Sequence, residues 1–328
     1  MGYLGAEFRF VPEDESYAIT HIVNGDVWDA GAGSPLNAVG VEAKVGERII
    51  AVNGQRVSRE RPPEALLVHQ AATKVELTLK ADASDAATRT VLITTLNDEV
   101  PARYREWVER NRTFVHERSE GRVGYFHLPD MMAAGFAEFH RYFGRECERD
   151  ALIVDVRYNR GGHVSQLLLE KVARRRIGYA MARWSQPTSY PDEAVAGPVV
   201  ALTNEHSGSD GDIFSHGFKL MQIGPLVGTR TWGGVIGIWP RHPLVDGTQT
   251  TQPEFSFWFK DVGWGVENYG TDPDIEVDNA PQDAGAQRDR QLETAVATAL
   301  DLIARNGASK PLFGTRPVLG RPTFPPRR

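Results

Sequence analysis

A serine at the start of a predicted helix has the clearest potential for chemistry in this sequence. Ser209 follows a short apolar run, Val199 to Leu202, that predicts a buried strand. Apolar residues return with helical spacing between Ile213 and Met221, so Ser209 lies where a strand passes into a helix. The first amides of a helix have no internal partner, and the helix dipole is positive there. Charge that develops beside Ser209 would therefore be stabilised.

A purely structural role for Ser209 is the alternative, because serine is a favoured N-cap and Asp212 would be an imperfect capping-box partner. The turn 157–163 offers a second indication, since it also follows a predicted buried strand, opens a helix and contains two adjacent glycines, Gly161 and Gly162. Glycines let backbone N–H groups approach a bound group closely. Two such turns could direct two N–H groups at one substrate oxygen, as an oxyanion hole requires. An ordinary strand-to-helix turn explains the glycines equally well.

Bulk composition narrows the class of protein. A chain of 328 residues is long enough for two domains. The net charge of −6 and the pI near 5.9 argue against a nucleic-acid partner and against a polybasic membrane anchor, which leaves a peptide or a small molecule. The single cysteine, Cys147, excludes an internal disulfide framework. Without an apolar run of membrane-spanning length or a signal-peptide pattern, we predict a cytoplasmic protein with no membrane partner, metal or cofactor.

Residues 1–95 predict a small β-rich domain. One helix is predicted over Pro63–Thr73, with an inner face of Ala65, Leu66, Val68 and Ala72. Four alternating runs predict strands, and Asn53-Gly54 predicts a tight turn; the runs are Tyr3–Phe8, Tyr17–Val23, Arg48–Val52 and Val75–Leu79. The segments 34–40 and 45–54 resemble a PDZ signature. A PDZ domain captures an extended peptide by strand addition, so peptide binding and a purely architectural role are both open.

Between Ala81 and Asp98 the composition shifts to Ala, Ser, Thr and Asp, and we place a domain boundary there. Strands and helices alternate over 96–310, which predicts a parallel sheet covered by helices and an α/β fold class. The predicted strands are 122–128, 151–157, 199–203 and 226–229, and the predicted helices are 104–116, 133–143, 164–175, 209–223 and 288–304. In the second helix Phe136, Phe139 and Phe143 are predicted to face inward. The proline-rich residues 311–328 predict an extended or disordered tail.

Two further segments could line a site. Residues 229–237 are rich in glycine and apolar residues, and residues 255–264 are strongly aromatic. They predict either a hairpin with its packed neighbour or a wall that faces the substrate. Beyond them Glu267 is a single acid in an otherwise neutral turn before a strand.

Four motifs, in this order and behind a PDZ-like segment, resemble the C-terminal half of the tricorn protease family. They are residues 155–163, 208–215, 228–237 and 267–274. The resemblance implies a cytoplasmic serine peptidase that trims oligopeptides. It also implies a crotonase-like α/β peptidase domain after the PDZ-like domain, and assembly into a homo-oligomer.

The resemblance assigns roles to individual positions. Ser209 falls on the family's nucleophile, and the N–H of Asp210 falls on one half of its oxyanion hole. Gly162 falls on the other half, within a substrate-contacting turn formed by Arg160, Gly161 and Gly162. Glu267 falls on the glutamate that polarises the general base through a bridging serine. We expect that Gly162→Ala would damage transition-state stabilisation and leave folding mostly intact.

The resemblance also implies a missing group. In the family the base is a histidine, preceded by the bridging serine, in a segment upstream of the PDZ domain, whereas this sequence begins at that domain. A serine without a base is a poor nucleophile, so we expect the isolated chain to be almost inactive. His206 and His216 are the candidate substitutes by local spacing. The main alternative is a catalytically incomplete peptide-binding protein; an acyl-CoA enzyme is weaker, because fold alone suggests it.

Overall fold

The structure is a computed structural model that describes residues 1–26, 28–81, 87–239, 241–286, 288–308, 311–315 and 320. These residues form two compact units, Met1–Asn111 and Arg112–Arg328. The division between the units falls within the helix Val100–Arg118. The domain boundary that we expected near residue 95 stays a prediction.

The first unit is β-rich, as predicted for a PDZ-like domain. Its strands are β1 (Ala6–Val11), β2 (Ser16–Ile22), β3 (Arg48–Val52), β4 (Gln55–Arg56), β5 (Lys74–Lys80) and β6 (Thr88–Thr94). They pair antiparallel in the order β1-β2-β3-β5-β6, with β4 added to β3. Asn53 and Gly54 join β3 to β4 with φ angles of 49° and 72°, which confirms the predicted tight turn. Val75, Leu77 and Leu79 point from β5 into the core.

The helix predicted over Pro63–Thr73 is wrong in length. Only α1 (Pro63–Leu66) is helical, and two 3₁₀ helices (Ala30–Ala32 and Pro35–Asn37) precede it. His69 has a φ of 62°, which is incompatible with a continuing right-handed helix. The inner face is also different from the prediction, because Leu67 is buried whereas Val68 is exposed.

The second unit is built on a parallel sheet. Its strands are β7 (Val123–His127), β8 (Ala151–Asp155), β9 (Gly178–Ala180), β10 (Thr188–Tyr190), β11 (Val199–Thr203), β12 (Leu226–Gly228), β13 (Gly237–Ile238), β14 (Pro253–Phe255) and β15 (Ile275–Glu276). Five of them form the main sheet in the order β15-β12-β11-β8-β7, all parallel. The strands β7, β8 and β11 are buried at every residue, as continuous apolar runs predict for a sheet covered on both faces. The predicted α/β class is confirmed.

Helices follow the strands of this sheet. They are α2 (Val100–Arg118, shared with the first unit), α3 (Ala133–Glu146), α4 (Ser165–Val172), α5 (Asp210–Leu220), α6 (Pro281–Gly285) and α7 (Arg290–Asn306). In α3 Phe139 and Phe143 are buried, but Phe136 is 38% exposed and makes an edge-to-face contact with His140, which corrects the prediction that all three face inward. The amphipathic helix α7 buries Leu292, Ala295, Val296, Ala299 and Ile303, and Leu300 is partly exposed.

Parallel pairing brings two turns together. Because β8 and β11 run side by side with Asp155 opposite Leu202, their carboxyl ends meet at one edge of the sheet. The β8 turn (residues 156–164) leads into α4, and the β11 turn (residues 204–209) leads into α5. Both sequence segments singled out for chemistry therefore lie at the same edge.

Most of the proline-rich tail predicted over 311–328 lies outside the described residues. Within the described part of the chain, no helix is both long enough and apolar enough for a membrane span. The same part contains no group of three His, Cys, Asp or Glu side chains arranged to hold a metal ion.

Candidate active site

Ser209 precedes the first residue of α5 in an unusual backbone conformation. Its φ and ψ are 56° and −120°, and its side chain does not cap the helix. Ser209 therefore occupies the N-cap position without the side-chain hydrogen bond of a capping box. The hydroxyl makes no hydrogen bond within the described residues and opens, half-buried, onto a pocket of about 490 Å³. Such backbone strain costs about 1–3 kcal/mol and persists only where surrounding structure enforces it.

The β8 turn packs against Ser209 and holds it in this strained conformation. Gly208 N donates to Asn159 O at 3.0 Å, and Tyr158 N donates to the Asn204 side chain at 3.0 Å. Gly161 packs directly on the serine, since a methyl group added to it would lie 2.5 Å from Ser209 Cβ. The turn containing the glycines and the turn containing the serine are thus a single packed unit.

Two backbone amides at the pocket are available to a ligand. Gly162 and Asp210 both line the pocket beside Ser209. Neither N–H donates to an acceptor among the described residues. Asp210 is the first residue of α5, where helix amides have no internal acceptor, and Gly162 forms an isolated bridge with Met131 in which its own N–H takes no part. Two free N–H donors that line the same pocket as a serine hydroxyl are the components that an oxyanion hole requires.

The expectation that Gly162→Ala leaves folding intact is wrong. Gly162 has a φ of 149°, and a Cβ there would lie 2.0 Å from the carbonyl oxygen of Met131. That contact is with backbone and cannot be relieved by a side-chain rotation. Arg160, the first residue of the predicted substrate-contacting turn, is exposed and does not line this pocket.

The carboxylate of Asp210 is used structurally. Its oxygens accept hydrogen bonds from the backbone N–H of Ser165, at 2.9 Å, and from the Ser165 hydroxyl. Ser165 is the first residue of α4, so an anion from one helix caps the N-terminus of the other. This bond joins the two helices whose N-termini face the pocket.

A second carboxyl, Asp212, is fully buried below the serine. Its Oδ1 accepts from Gly233 N at 2.8 Å and so holds the glycine-rich loop against α5. Burial raises the pKa of Asp212 and outweighs the opposing effect of that amide. No feature of the sequence pattern distinguished this residue from an ordinary helix N-terminal acid.

Glu267 contacts the pocket wall rather than Ser209. Its Oε2 accepts from Val235 N at 2.6 Å and Ile236 N at 2.8 Å. Both of those residues line the pocket, whereas Glu267 lines a neighbouring cavity that shares Ile236 and Phe257 with it. Glu267 therefore contacts the site indirectly, because it binds the backbone of the glycine-rich loop that lines the pocket.

The histidines selected by spacing lie elsewhere. His206 is exposed and stacks on Tyr158, and His216 hydrogen-bonds Asp261 at 3.1 Å in a different cavity. His163 instead lines the pocket of Ser209, stacked on Trp239 with ring centroids 4.7 Å apart. Its position directly after Gly162 was the available signal.

Comparison with known proteins connects this geometry to a family. Residues 122–277 match peptidase family S41, and residues 2–98 match the tricorn protease PDZ domain. The chain belongs to the tricorn protease family. Among curated relatives, tricorn protease homolog 1 of Streptomyces coelicolor is 49% identical over 310 residues, which are 94% of this chain and 29% of that protein.

Other tricorn proteins are similar over the same part. The tricorn protease of Thermoplasma acidophilum is 43% identical over 300 residues, which are 92% of this chain and 28% of that protein. A crystal structure of the tricorn protease superimposes with a TM-score of 0.86 at 43% identity, covering 93% of this chain and 29% of that one. This tricorn-family chain thus spans about three tenths of the length of these relatives.

Proposed function

We propose that the chain carries the nucleophile and oxyanion hole of a serine peptidase that cleaves or trims oligopeptides. The observation that carries the proposal is Ser209 itself. Its strained backbone holds an unbonded hydroxyl at the start of a helix, in a pocket that Gly162 and Asp210, with their free amides, also line. The S41 match makes the same class of chemistry the expected one.

The reaction follows from these positions. Ser209 Oγ bonds to the scissile carbonyl carbon, and the displaced electron pair on oxygen is held by the amides of Gly162 and Asp210. The hydroxyl proton passes to a base and then to the leaving amine as the C–N bond breaks. Water hydrolyses the resulting ester, which releases the acid and restores the hydroxyl. Glu267 supports this site by holding the loop at Val235 and Ile236.

The family resemblance assigns the base to a Ser-His segment that precedes the PDZ domain in longer relatives. In support, no histidine among the described residues hydrogen-bonds Ser209. We therefore propose that the 328-residue chain alone hydrolyses peptides barely, if at all. The cytoplasmic location and the homo-oligomer also remain proposals that rest on the resemblance.

Hydrolysis of fluorogenic peptides tests this proposal. The samples are the chain as given and the chain extended by the segment that precedes the PDZ domain in a tricorn relative, each with and without Ser209→Ala. We expect near-background turnover from the chain as given and a Ser209-dependent gain from the extension. Loss of one triad member leaves roughly 10³–10⁴-fold catalysis over water, so weak residual activity is compatible with the proposal.

Two other outcomes would be decisive. Ser209-dependent turnover by the chain as given, abolished by His163→Ala but not by the exposed control His206→Ala, would assign the base to His163. Peptide binding without hydrolysis by either form would favour the catalytically incomplete peptide-binding protein.

A further inference from the structure

The first turn of α5 contains two acids, and each of them binds a neighbouring element. Asp210 binds Ser165 at the start of α4. Asp212 is buried, and its Oδ1 accepts from Gly233 N at 2.8 Å. An acid in a first helical turn stabilises its own helix, because the dipole is positive there. The contact of Asp212 with the glycine-rich loop is additional to that effect.

The carboxyl group of Asp212 also faces the backbone of the serine. Burial raises its pKa, and several groups that lie close to it act in the opposite direction by favouring its charged form; they are the Thr231 side chain and the N–H groups of Gly233, Ser209 and Gly234. In a capping box the side chain three residues after the N-cap binds the N-cap N–H. Asp212 has this position relative to Ser209. The reciprocal bond is absent, because the serine side chain does not cap the helix.

This half of a capping box separates the two polar groups of the serine. In an ordinary N-cap the side-chain oxygen accepts a helix N–H and is not available to a substrate. Here Asp212 faces the N–H of Ser209, whereas the hydroxyl stays free at the pocket. The serine is constrained from a second direction as well, since Gly161 packs against its Cβ.

Two acids in succession hold the glycine-rich loop, residues 233–236. The first two N–H groups of this loop face Asp212, and the next two bind Glu267 Oε2 at 2.6 and 2.8 Å. The last two loop residues line the pocket of Ser209. The carboxyl group of Asp212 therefore joins the backbone of the serine to the loop that lines its pocket.

We propose that Asp212 is a positioning residue for Ser209, which holds the serine N–H and the loop at Gly233 and so keeps the serine hydroxyl from capping α5. The inference rests on the proposed role of Ser209 as the nucleophile. Without this carboxyl group, Ser209 relaxes to the extended backbone conformation of an ordinary N-cap, and its hydroxyl accepts a helix N–H. The nucleophile is then withdrawn from the pocket.

A double-mutant cycle tests the backbone part of the proposal without a ligand. Urea denaturation compares Asp212→Ala in the wild-type chain and in Ser209→Gly, which has neither the strain nor the hydroxyl. Loss of the carboxyl group destabilises both, but relief of strain at Ser209 offsets part of the loss in the wild-type background. We expect Asp212→Ala to reduce the folding equilibrium constant at least about 5-fold more in Ser209→Gly than in the wild-type chain.

The matched control for the cycle is Glu146→Ala. Glu146 is another buried acid, which binds His116 and Arg149 and does not line the pocket. Its removal should reduce the folding equilibrium constant equally in both backgrounds. Equal reductions for Asp212→Ala as well would overturn the proposal, because an acid with a merely structural role acts independently of the residue at position 209.

A peptide boronic acid tests the consequence for the hydroxyl. Such a probe bonds reversibly to a serine oxygen with release of water, and isothermal titration calorimetry measures its dissociation constant for the chain as given. We expect Asp212→Ala to weaken binding roughly 10²-fold, since a displacement of about 1 Å at a reacting group costs this much. Glu146→Ala should leave the dissociation constant unchanged. Wild-type affinity in a folded Asp212→Ala chain would overturn the proposal.

A conservative variant covers the case in which Asp212→Ala does not fold. Asp212→Asn keeps an acceptor for Gly233 but has an NH₂ group in place of the second oxygen, so it should weaken boronate binding about 10-fold. Unchanged affinity in Asp212→Asn would then overturn the proposal. Absence of a Ser209-dependent adduct in the wild-type chain would instead contradict the proposed function, and the double-mutant cycle would still decide the positioning.

Discussion

The β8 turn and the β11 turn follow neighbouring strands of one sheet, but they differ in how completely their buried polar side chains are hydrogen-bonded. In the β8 turn the guanidinium of Arg157 is buried and bonds to Asp155 and Asp289 at 2.7 and 2.8 Å. Asn159 is equally well bonded, since its side chain donates to Leu128 O at 2.8 Å and accepts from Gly161 N at 2.9 Å. The buried side chains of Arg157 and Asn159 in this turn have the saturated bonding expected of a structural element, whereas the Gly162 N–H near its end is free.

The β11 turn lacks that saturation. Ser207 Oγ, and Asp212 Oδ2 just inside α5, are buried and have no hydrogen-bond partner among the described residues. Ser209 has a free hydroxyl and a strained backbone. Unsatisfied and strained groups concentrate where a site needs them, and neighbouring structure must stabilise them. Here the saturated turn supplies that stabilisation through Asn159 and the packing of Gly161 on the serine.

The two carboxyls at these turns have opposite pKa shifts. Burial opposes ionisation of Asp155, but the adjoining Arg157 guanidinium outweighs it and lowers the pKa of Asp155. Burial raises the pKa of Asp212, which has no cation beside it to compensate. Both carboxyls are buried, and the adjacent cation decides the direction of the shift: Arg157 favours the charged form of Asp155, whereas burial favours the neutral form of Asp212.

Replacement of Arg157, the buried cation of the β8 turn, should have the largest effect on stability. In Arg157→Met the Asp155 carboxylate stays buried without its partner, and we expect a loss of about 3–5 kcal/mol in the free energy of unfolding. Urea denaturation measures the loss. In the matched double variant Arg157→Met/Asp155→Asn the uncompensated charge is absent, so part of the stability should return; equal losses in both variants would contradict the comparison.

Release of backbone strain in the β11 turn should have a smaller effect on stability, and of opposite sign. Glycine adopts the φ of 56° at position 209 without strain, whereas alanine does not. We expect Ser209→Gly to be more stable than Ser209→Ala by about 1 kcal/mol, because relief of about 1–3 kcal/mol exceeds the entropic cost of glycine in the unfolded chain. Thermal denaturation of the two variants, neither of which has the hydroxyl, provides the measurement. An alanine variant of equal or greater stability would show that the turn is unstrained.

The smallest effect should be in the pH dependence of stability. Asp212, with its raised pKa, contributes stability that is complete below the unfolded value near 3.8 and is lost as pH rises through the folded value. Asp212→Asn cannot ionise and keeps an acceptor for Gly233, so its stability relative to wild type should improve with rising pH, by on the order of 1 kcal/mol.

Asp155→Asn should show the opposite trend. The lowered pKa of Asp155 means that its contribution is present above about 3.8 and is lost as pH falls, so the deficit of this variant should shrink in acid. Unfolding free energies from pH 3 to 8 for both variants test the pair. Parallel pH profiles would contradict the assignment of opposite shifts.

The sequence by itself determined the α/β class, the elements around the site and the family. Continuous apolar runs are enough to predict β8 and β11, because strands that are buried on both faces consist of consecutive apolar residues without polar alternation. Ser209 at the strand-to-helix transition and the glycines after β8 were recognisable for the same local reason. The four ordered motifs indicate the tricorn family independently of the fold.

Only the tertiary structure determined which side chains lie close together and which are buried. The helix predicted to Thr73 ends at Leu66, and Phe136 faces outward, because backbone φ and packing override a short apolar period. Spacing along the chain favoured His206, whereas the fold places His163 at the pocket. Distance in space depends on how strands pair and turns pack. No local pattern places Asp212 beneath the serine, and the composition of residues 229–237 and 255–264 left open whether they form a packed hairpin or a wall of the site, which the fold alone decides.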